Sequence, residues 1–115
     1  MNYKKILDEL EIVIESMDID KKYKKKLYLK ITDSLYNDSI NKKVLTEIET
    51  ERARQDSKWG IQNHEPLKWN AILGEEFGEV SKAILENDTE NYREELIQVA
   101  AVAIAAVESL DRQKR

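Results

Sequence analysis

Leu67-Lys68-Trp69-Asn70-Ala71-Ile72-Leu73-Gly74-Glu75-Glu76-Phe77-Gly78-Glu79-Val80-Ser81-Lys82-Ala83-Ile84-Leu85-Glu86 is the stretch that decides the fold class. Trp69, Ile72, Leu73, Phe77, Val80, Ala83 and Ile84 recur at intervals of three and four, the period of an amphipathic helix. On a wheel of about 100° per residue with Glu76 at zero, Trp69, Ile72, Leu73, Val80, Ala83 and Ile84 spread from roughly −40° to +80°. Glu76 therefore sits in the middle of the apolar stripe, Glu79 on its edge and Glu75 just outside it.

Towards the C-terminus, Asn87-Asp88-Thr89 closes this helix and caps the next, with Thr89 as the capping residue and acids in the first turn. That last helix, from Glu90 to about Arg112, is apolar nearly all round between Leu96 and Val107. A helix without a polar face is buried on several sides, which in a chain this small predicts a subunit interface, a homodimer or homotetramer, beside the internal core. Towards the N-terminus, Ser57 to Pro66 has no period and holds Gly60, Asn63 and the sole proline, the signature of a loop. A helix is predicted before it from Ile40 to about Asp56, a turn at Asn37 to Ser39, a second helix reaching about Tyr36, a break at Asp18 to Asp20, and a first helix from Asn2 to Met17.

The 115 residues fit one domain with a helical extension, divided at residues 1–40 and 41–115. Three glycines and one proline are too few turn formers for a sandwich or barrel, and the absence of cysteine excludes disulfides, thiolate zinc and a thiol nucleophile. The longest apolar run is about half of what a bilayer crossing needs, so a cytoplasmic protein with no membrane partner is expected. Residues 1–50 hold ten lysines against ten acids, and residues 51–115 hold nine bases against thirteen acids. The excess acid of the second part makes nucleic acid an unlikely partner there and suits a site that gathers carboxylates for cations.

The acids fall where an apolar stripe should be. On the last helix Glu95 points between Val99 and Val102, with Gln98 one turn on, so two adjacent helices each aim a polar pair inward, Glu76 with Glu79 and Glu95 with Gln98. Two carboxylates about 5 Å apart repel by about 3 kcal/mol at an effective dielectric near 20. Few bases are near enough to offset this. A hard divalent cation with oxygen ligands, Mg²⁺ or alternatively Mn²⁺, does so economically.

These residues also carry a resemblance. Glu75-Glu76-Phe77-Gly78-Glu79 matches the E-E-x-x-E motif of the MazG-like, all-α nucleoside triphosphate pyrophosphohydrolases, and Glu95-Leu96-Ile97-Gln98 stands where that family has E-x-x-D. Glu51-Arg52-Ala53-Arg54-Gln55-Asp56, Lys58-Trp59-Gly60, Gln62-Asn63-His64, Trp69 to Leu73 and Glu94 to Leu110 extend the likeness over about residues 43–112. The resemblance implies an all-α, antiparallel MazG-like helical core preceded by a two-helix extension. It further implies a hydrolase that splits an NTP or dNTP into NMP and pyrophosphate, with Glu76, Glu79, Glu95 and Gln98 holding Mg²⁺ and Glu75 activating water. Gln98 departs from the motif, because its amide oxygen can bind a cation but brings no charge.

Trp59, His64 and Trp69 bracket the loop, where they either pack or stack on a base. Arg54, Lys58, Lys82 and Arg93 are close enough in sequence to meet phosphates, and each is equally a solvated surface charge. The Lys21 to Lys26 cluster reads as a solvated helix face, with contact to nucleic acid or to an acidic partner as its alternative. The functional expectation is thus an Mg²⁺-dependent pyrophosphohydrolase. A non-catalytic nucleotide-binding protein on the same scaffold is the second reading, and a helical interaction protein the third.

Overall fold

A computed structural model describes residues 2–114. They form four helices and no strand, an all-α fold: α1 Tyr3–Glu15, α2 Lys21–Trp59, α3 Pro66–Leu85 and α4 Thr89–Gln113. The sequence predicts a turn at Asn37 to Ser39, yet α2 runs straight through it. Asn, Asp and Ser lower helix propensity but do not forbid it as Pro would, and the Asp38–Lys42 ion pair at 3.1 Å spans one turn across the weak point. Two helices of the sequence reading are therefore one.

The chain divides into two compact units, residues 1–43 and residues 44–115, and the division falls inside α2. In the first, Asn2 caps α1 by accepting from the Lys5 amide at 3.3 Å. Ile14 is buried there and Ile6, Leu7 and Leu10 are half-buried, as are Leu27, Tyr28, Ile31 and Leu35 on the first half of α2. Asp20 accepts from the Lys22 amide at 3.0 Å, which starts α2 where the sequence places a cap.

In the second unit α3 packs on α4. Trp69, Val102 and Ala105 form the buried cluster, with Ile72, Leu73 and Ala106 against it, and the fully buried Ala83 and Ala101 keep the helices close. The turn between them is a Schellman motif. Asn87 takes φ 56°, the Asp88 amide donates to the Ala83 carbonyl at 3.0 Å and the Asn87 amide to the Ile84 carbonyl at 3.1 Å. The cap of α4 is Asp88, which accepts from the Asn91 amide at 3.1 Å, rather than Thr89. Asp reaches the same orphan amides and adds a charge that complements the helix dipole.

The end of α2 is equally defined. Gly60 at φ 73° gives its amide to the Asp56 carbonyl at 2.8 Å, the single-bond left-handed cap that glycine adopts without strain. The loop that follows is tied to the last turns of α4. The His64 amide donates to the buried Ser109 hydroxyl at 3.2 Å, and Arg112 donates to Asn63 Oδ1 at 2.8 Å and to the Gln62 carbonyl at 3.1 Å. Two members of the expected apolar stripe of α3 lie outside the core: Phe77 is 64% exposed and Ile84 56%. On α4 Leu96, Ile104, Val107 and Leu110 are also exposed, on the sides that neither α3 nor the second half of α2 covers.

Candidate functional site

The second half of α2, the N-terminal half of α3 and the middle of α4 enclose a cavity of about 320 Å³. Its walls include Arg52, Gln55, Trp59, Trp69, Glu75, Glu76 and Gln98. The apolar floor comes from Ile72, Val102 and Ala105, which belong to or pack on the α3–α4 core. A polar wall thus stands directly on a packed base.

Helical spacing puts Glu76 into the core-facing stripe of α3 one turn beyond Ile72, and it is half-buried there. Burial, then the charges of Glu95, Glu75, Glu79 and Glu51, push its carboxyl above the usual carboxylate range. Burial and then the charges of Glu79 and Glu94 likewise raise Glu95, while a hydrogen bond with Glu76 pulls it back. Glu76 on α3 and Glu95 on α4 thus lie near enough for each to shift the other.

Oxygen is the only donor type offered here, the preference of Mg²⁺ and Mn²⁺. Among the described residues no three acidic or histidine side chains converge into a ready cage. Mg²⁺ does not need one, because it commonly takes one or two carboxylates and fills its octahedron with water and phosphate oxygens. The like-charge crowding at Glu76 and Glu95 is what such a cation would relieve, and in that sense the donor set fits.

Trp69 borders both this cavity and the apolar groove beside His64. Trp69 is 7% exposed, and its indole Nε1–H is buried without a hydrogen-bond partner. An unpaired buried donor costs about 1–3 kcal/mol, so the site retains a penalty that an acceptor could remove. Trp59, at the capped end of α2, is 52% exposed and offers a ring face at the same cavity. Lys58 Nζ lies 4.8 Å and the Arg54 guanidinium 5.8 Å from its centroid.

The sequence-predicted residues separate into groups. Glu75, Glu76, Gln98, Trp59 and Trp69 line the one cavity, with Glu79 and Glu95 acting on it through their charge. Arg54 and Lys58 gather at Trp59, Arg54 being held by Glu51 at 2.6 Å. His64 lies apart: its ring is 4.9 Å from that of Trp69, but it borders a separate apolar groove with Pro66, Leu73, Val107 and Leu110. Arg93 pairs with Glu47 and lines a different hollow, and Lys82 borders none of these cavities.

Sequence reasoning missed Arg52 and Gln55. Arg52 bridges Glu108 at 2.7 Å and Asp56 at 3.2 Å, joining α2 to α4, and its Nη1 donates to Gln55 Oε1 at 3.2 Å. Their one signal is placement, four residues apart from Ile48 and Glu51 on the inward stripe of α2, and polar residues there read as surface. Fold and site together define an all-α protein with a carboxylate-rimmed, tryptophan-walled cavity between three helices. No family model, no curated protein and no solved structure matches the chain.

Proposed function

We propose that the protein is an Mg²⁺-dependent nucleoside triphosphate pyrophosphohydrolase, as its resemblance to the MazG-like enzymes implies. The observation that supports it most directly is the nearness of half-buried Glu76 and Glu95 beside a cavity walled by Trp69, whose indole N–H is buried without a partner. In this reading Glu76, Glu79 and Glu95 would hold the cation together with water and phosphate oxygens, and it would neutralise phosphate charge and acidify water. The chain does the rest. Glu75, exposed at the rim, accepts the proton of the water that adds across the α–β anhydride, and pyrophosphate leaves as NMP forms. Trp59 stacks on the base, Trp69 Nε1 donates to a base or sugar acceptor, and Arg54 and Lys58 meet the phosphates.

The test is pyrophosphate release from a panel of NTPs and dNTPs with Mg²⁺, Mn²⁺ or EDTA. Turnover should require metal and fall at least about 100-fold in Glu76→Gln, the scale of losing one electrostatic element of a site. Trp69→Phe should lower nucleotide affinity about tenfold, consistent with one hydrogen bond. Metal-independent release, or a fully active Glu76→Gln, would sink the proposal.

One observation favours a second reading, a nucleotide-binding protein without turnover. The Gln98 amide oxygen accepts from Gln55 Nε2 at 3.5 Å, which engages the group that would replace the family's aspartate. Thermal stabilisation by nucleotide with no product would select it. Either reading includes a second copy of the chain, seated on the apolar surface that Phe77, Ile84, Val107 and Leu110 leave open on α3 and α4. No helix among the described residues is long and apolar enough to cross a membrane.

A further inference from the structure

The first ten residues of α2, Lys21 to Lys30, hold six lysines and no acid. Lys21, Lys22, Lys25, Lys26 and Lys30 are exposed, while Leu27, Ile31 and Leu35 are half-buried within the first unit. On a wheel of about 100° per residue with Lys22 at zero, the five exposed lysines span roughly −100° to +80°, and the three half-buried residues lie opposite. Lys22, Lys26 and Lys30 form a row about 12 Å long, one residue to a turn, with Lys21 and Lys25 beside it. Asp33, on the same side and three residues further on, ends the row.

The row carries a cost that no ion pair among the described residues offsets. Lys21 with Lys25, Lys22 with Lys26 and Lys26 with Lys30 are like-charge neighbours four apart, which destabilise a helix. The first turn, with Lys21, Lys22 and Lys24, holds no acid, and the helix dipole disfavours cations there. Lys21 and Lys25 border a groove that also holds Glu11 and Glu15, yet among the described residues none of the five exposed lysines pairs with an acid. Lys24 is used differently, its Nζ donating to the Glu15 carbonyl at the end of α1 at 2.8 Å. Local charge rules broken without a compensating contact are characteristic of functional surfaces.

We propose that this lysine row binds the phosphate backbone of nucleic acid, a function of the first unit that is independent of the pyrophosphohydrolase reading. Phosphates of one strand follow one another every ~3.4 Å along the duplex axis, so the row spans three to four of them, whereas a single small anion would leave most of it uncompensated. Lysine is a point charge without the planar fork that reads base edges, so the contact holds the strand without reading its sequence. An anionic lipid surface calls for an apolar face to bury, and the apolar face of this segment is already half-buried in the unit. Acidic peptide motifs are gripped by arginine forks, and the row has none. Residues 1–43 hold ten lysines against eight acids and residues 44–115 nine bases against fifteen acids, so a strand is drawn to the first unit and repelled by the second.

The test is fluorescence anisotropy of a labelled mixed-sequence DNA duplex of about 20 base pairs, titrated with the full chain between about 50 and 200 mM KCl. Wild type should bind at the low end, and log K should fall against log salt with a slope near −3, as three to four neutralised phosphates at about 0.9 each require. Lys22→Gln, Lys26→Gln and Lys30→Gln combined should weaken binding at least about tenfold and flatten the slope by about one per lysine. Lys4→Gln, Lys5→Gln and Lys68→Gln combined, the same charge change at exposed positions off the row, should bind within about twofold of wild type. Circular dichroism should show wild-type helicity in both, with the row variant at least as stable at low salt once its like-charge neighbours are gone. Absence of wild-type binding at about 50 mM, or an equal loss in the two variants, overturns the proposal. So does preference for polyglutamate or for phosphatidylserine vesicles over the duplex. Should the row variant fail to fold, Lys26→Gln alone decides: its slope should be flatter by about one, and an unchanged slope overturns the proposal.

Discussion

Under the proposed function Glu76 would serve opposite ends in folding and in cation binding. In the metal-free protein its raised pKa means that the folded state holds its proton more strongly than the unfolded chain. Stability is then lost as pH rises from the ordinary carboxylate range through the raised value, and the penalty is complete above it. Glu51 has the opposite sign: its lowered pKa contributes stability that is present above the ordinary value and lost as pH falls through the depressed one. Metal-free Glu76→Gln should therefore melt with wild type in acid and above it at neutral pH. Because Glu76 keeps much of its solvent contact, the gain is no more than about 1 kcal/mol, a few degrees. Scanning calorimetry from acid to neutral pH, with and without Mg²⁺, checks this. Added Mg²⁺ should raise wild type more than the variant, and a variant less stable than wild type at neutral pH would refute the sign. Glu76 and Glu95 are legible from sequence because a charge inside an apolar period stands out. Glu51 and Gln55 are not, since a helix rich in charge hides which of its polar residues face inward.

Continuity of α2 is the property of an element that the sequence reading misjudged. Asn37, Asp38 and Ser39 look like a turn, and the choice between turn and helix there is worth only fractions of a kcal/mol per residue. Ser39→Pro should cost about 3 kcal/mol and reduce far-UV helical signal, because it removes one i to i−4 bond and clashes with the Leu35 carbonyl. A variant of unchanged stability and helicity would mean that the chain turns there after all. Gly60→Ala should cost about 1 kcal/mol at the left-handed cap of α2. Since Trp59 is the residue before it, the same substitution should also weaken nucleotide binding, measurable by quenching of tryptophan fluorescence. Periodicity set the extents of α1, α3 and α4 to within one or two residues, because their ends carry a capping side chain, a proline or an asparagine in the left-handed region.

For the whole chain the main open quantity is apolar surface. In residues 44–115 the buried cluster is small, while Phe77, Ile84, Ile104 and Val107 stay in solvent, Val107 58% exposed. Sedimentation should show a wild-type oligomer, and Val107→Glu or Phe77→Glu should dissociate it with α-helical content kept. A monomeric wild type at micromolar concentration would leave that surface without its second copy. The sequence by itself determined the all-helical class, the stripes that become the α3–α4 core, and the intrusion of acids into one of them, because each is a local periodicity written in residue order. Only the tertiary structure decided that α2 is one helix and that the Gln98 amide oxygen meets Gln55 from α2. Only it showed, too, that Trp69 is left with an unpaired donor. Such partnerships join residues more than forty positions apart, and their energies depend on distance and burial that no local pattern encodes.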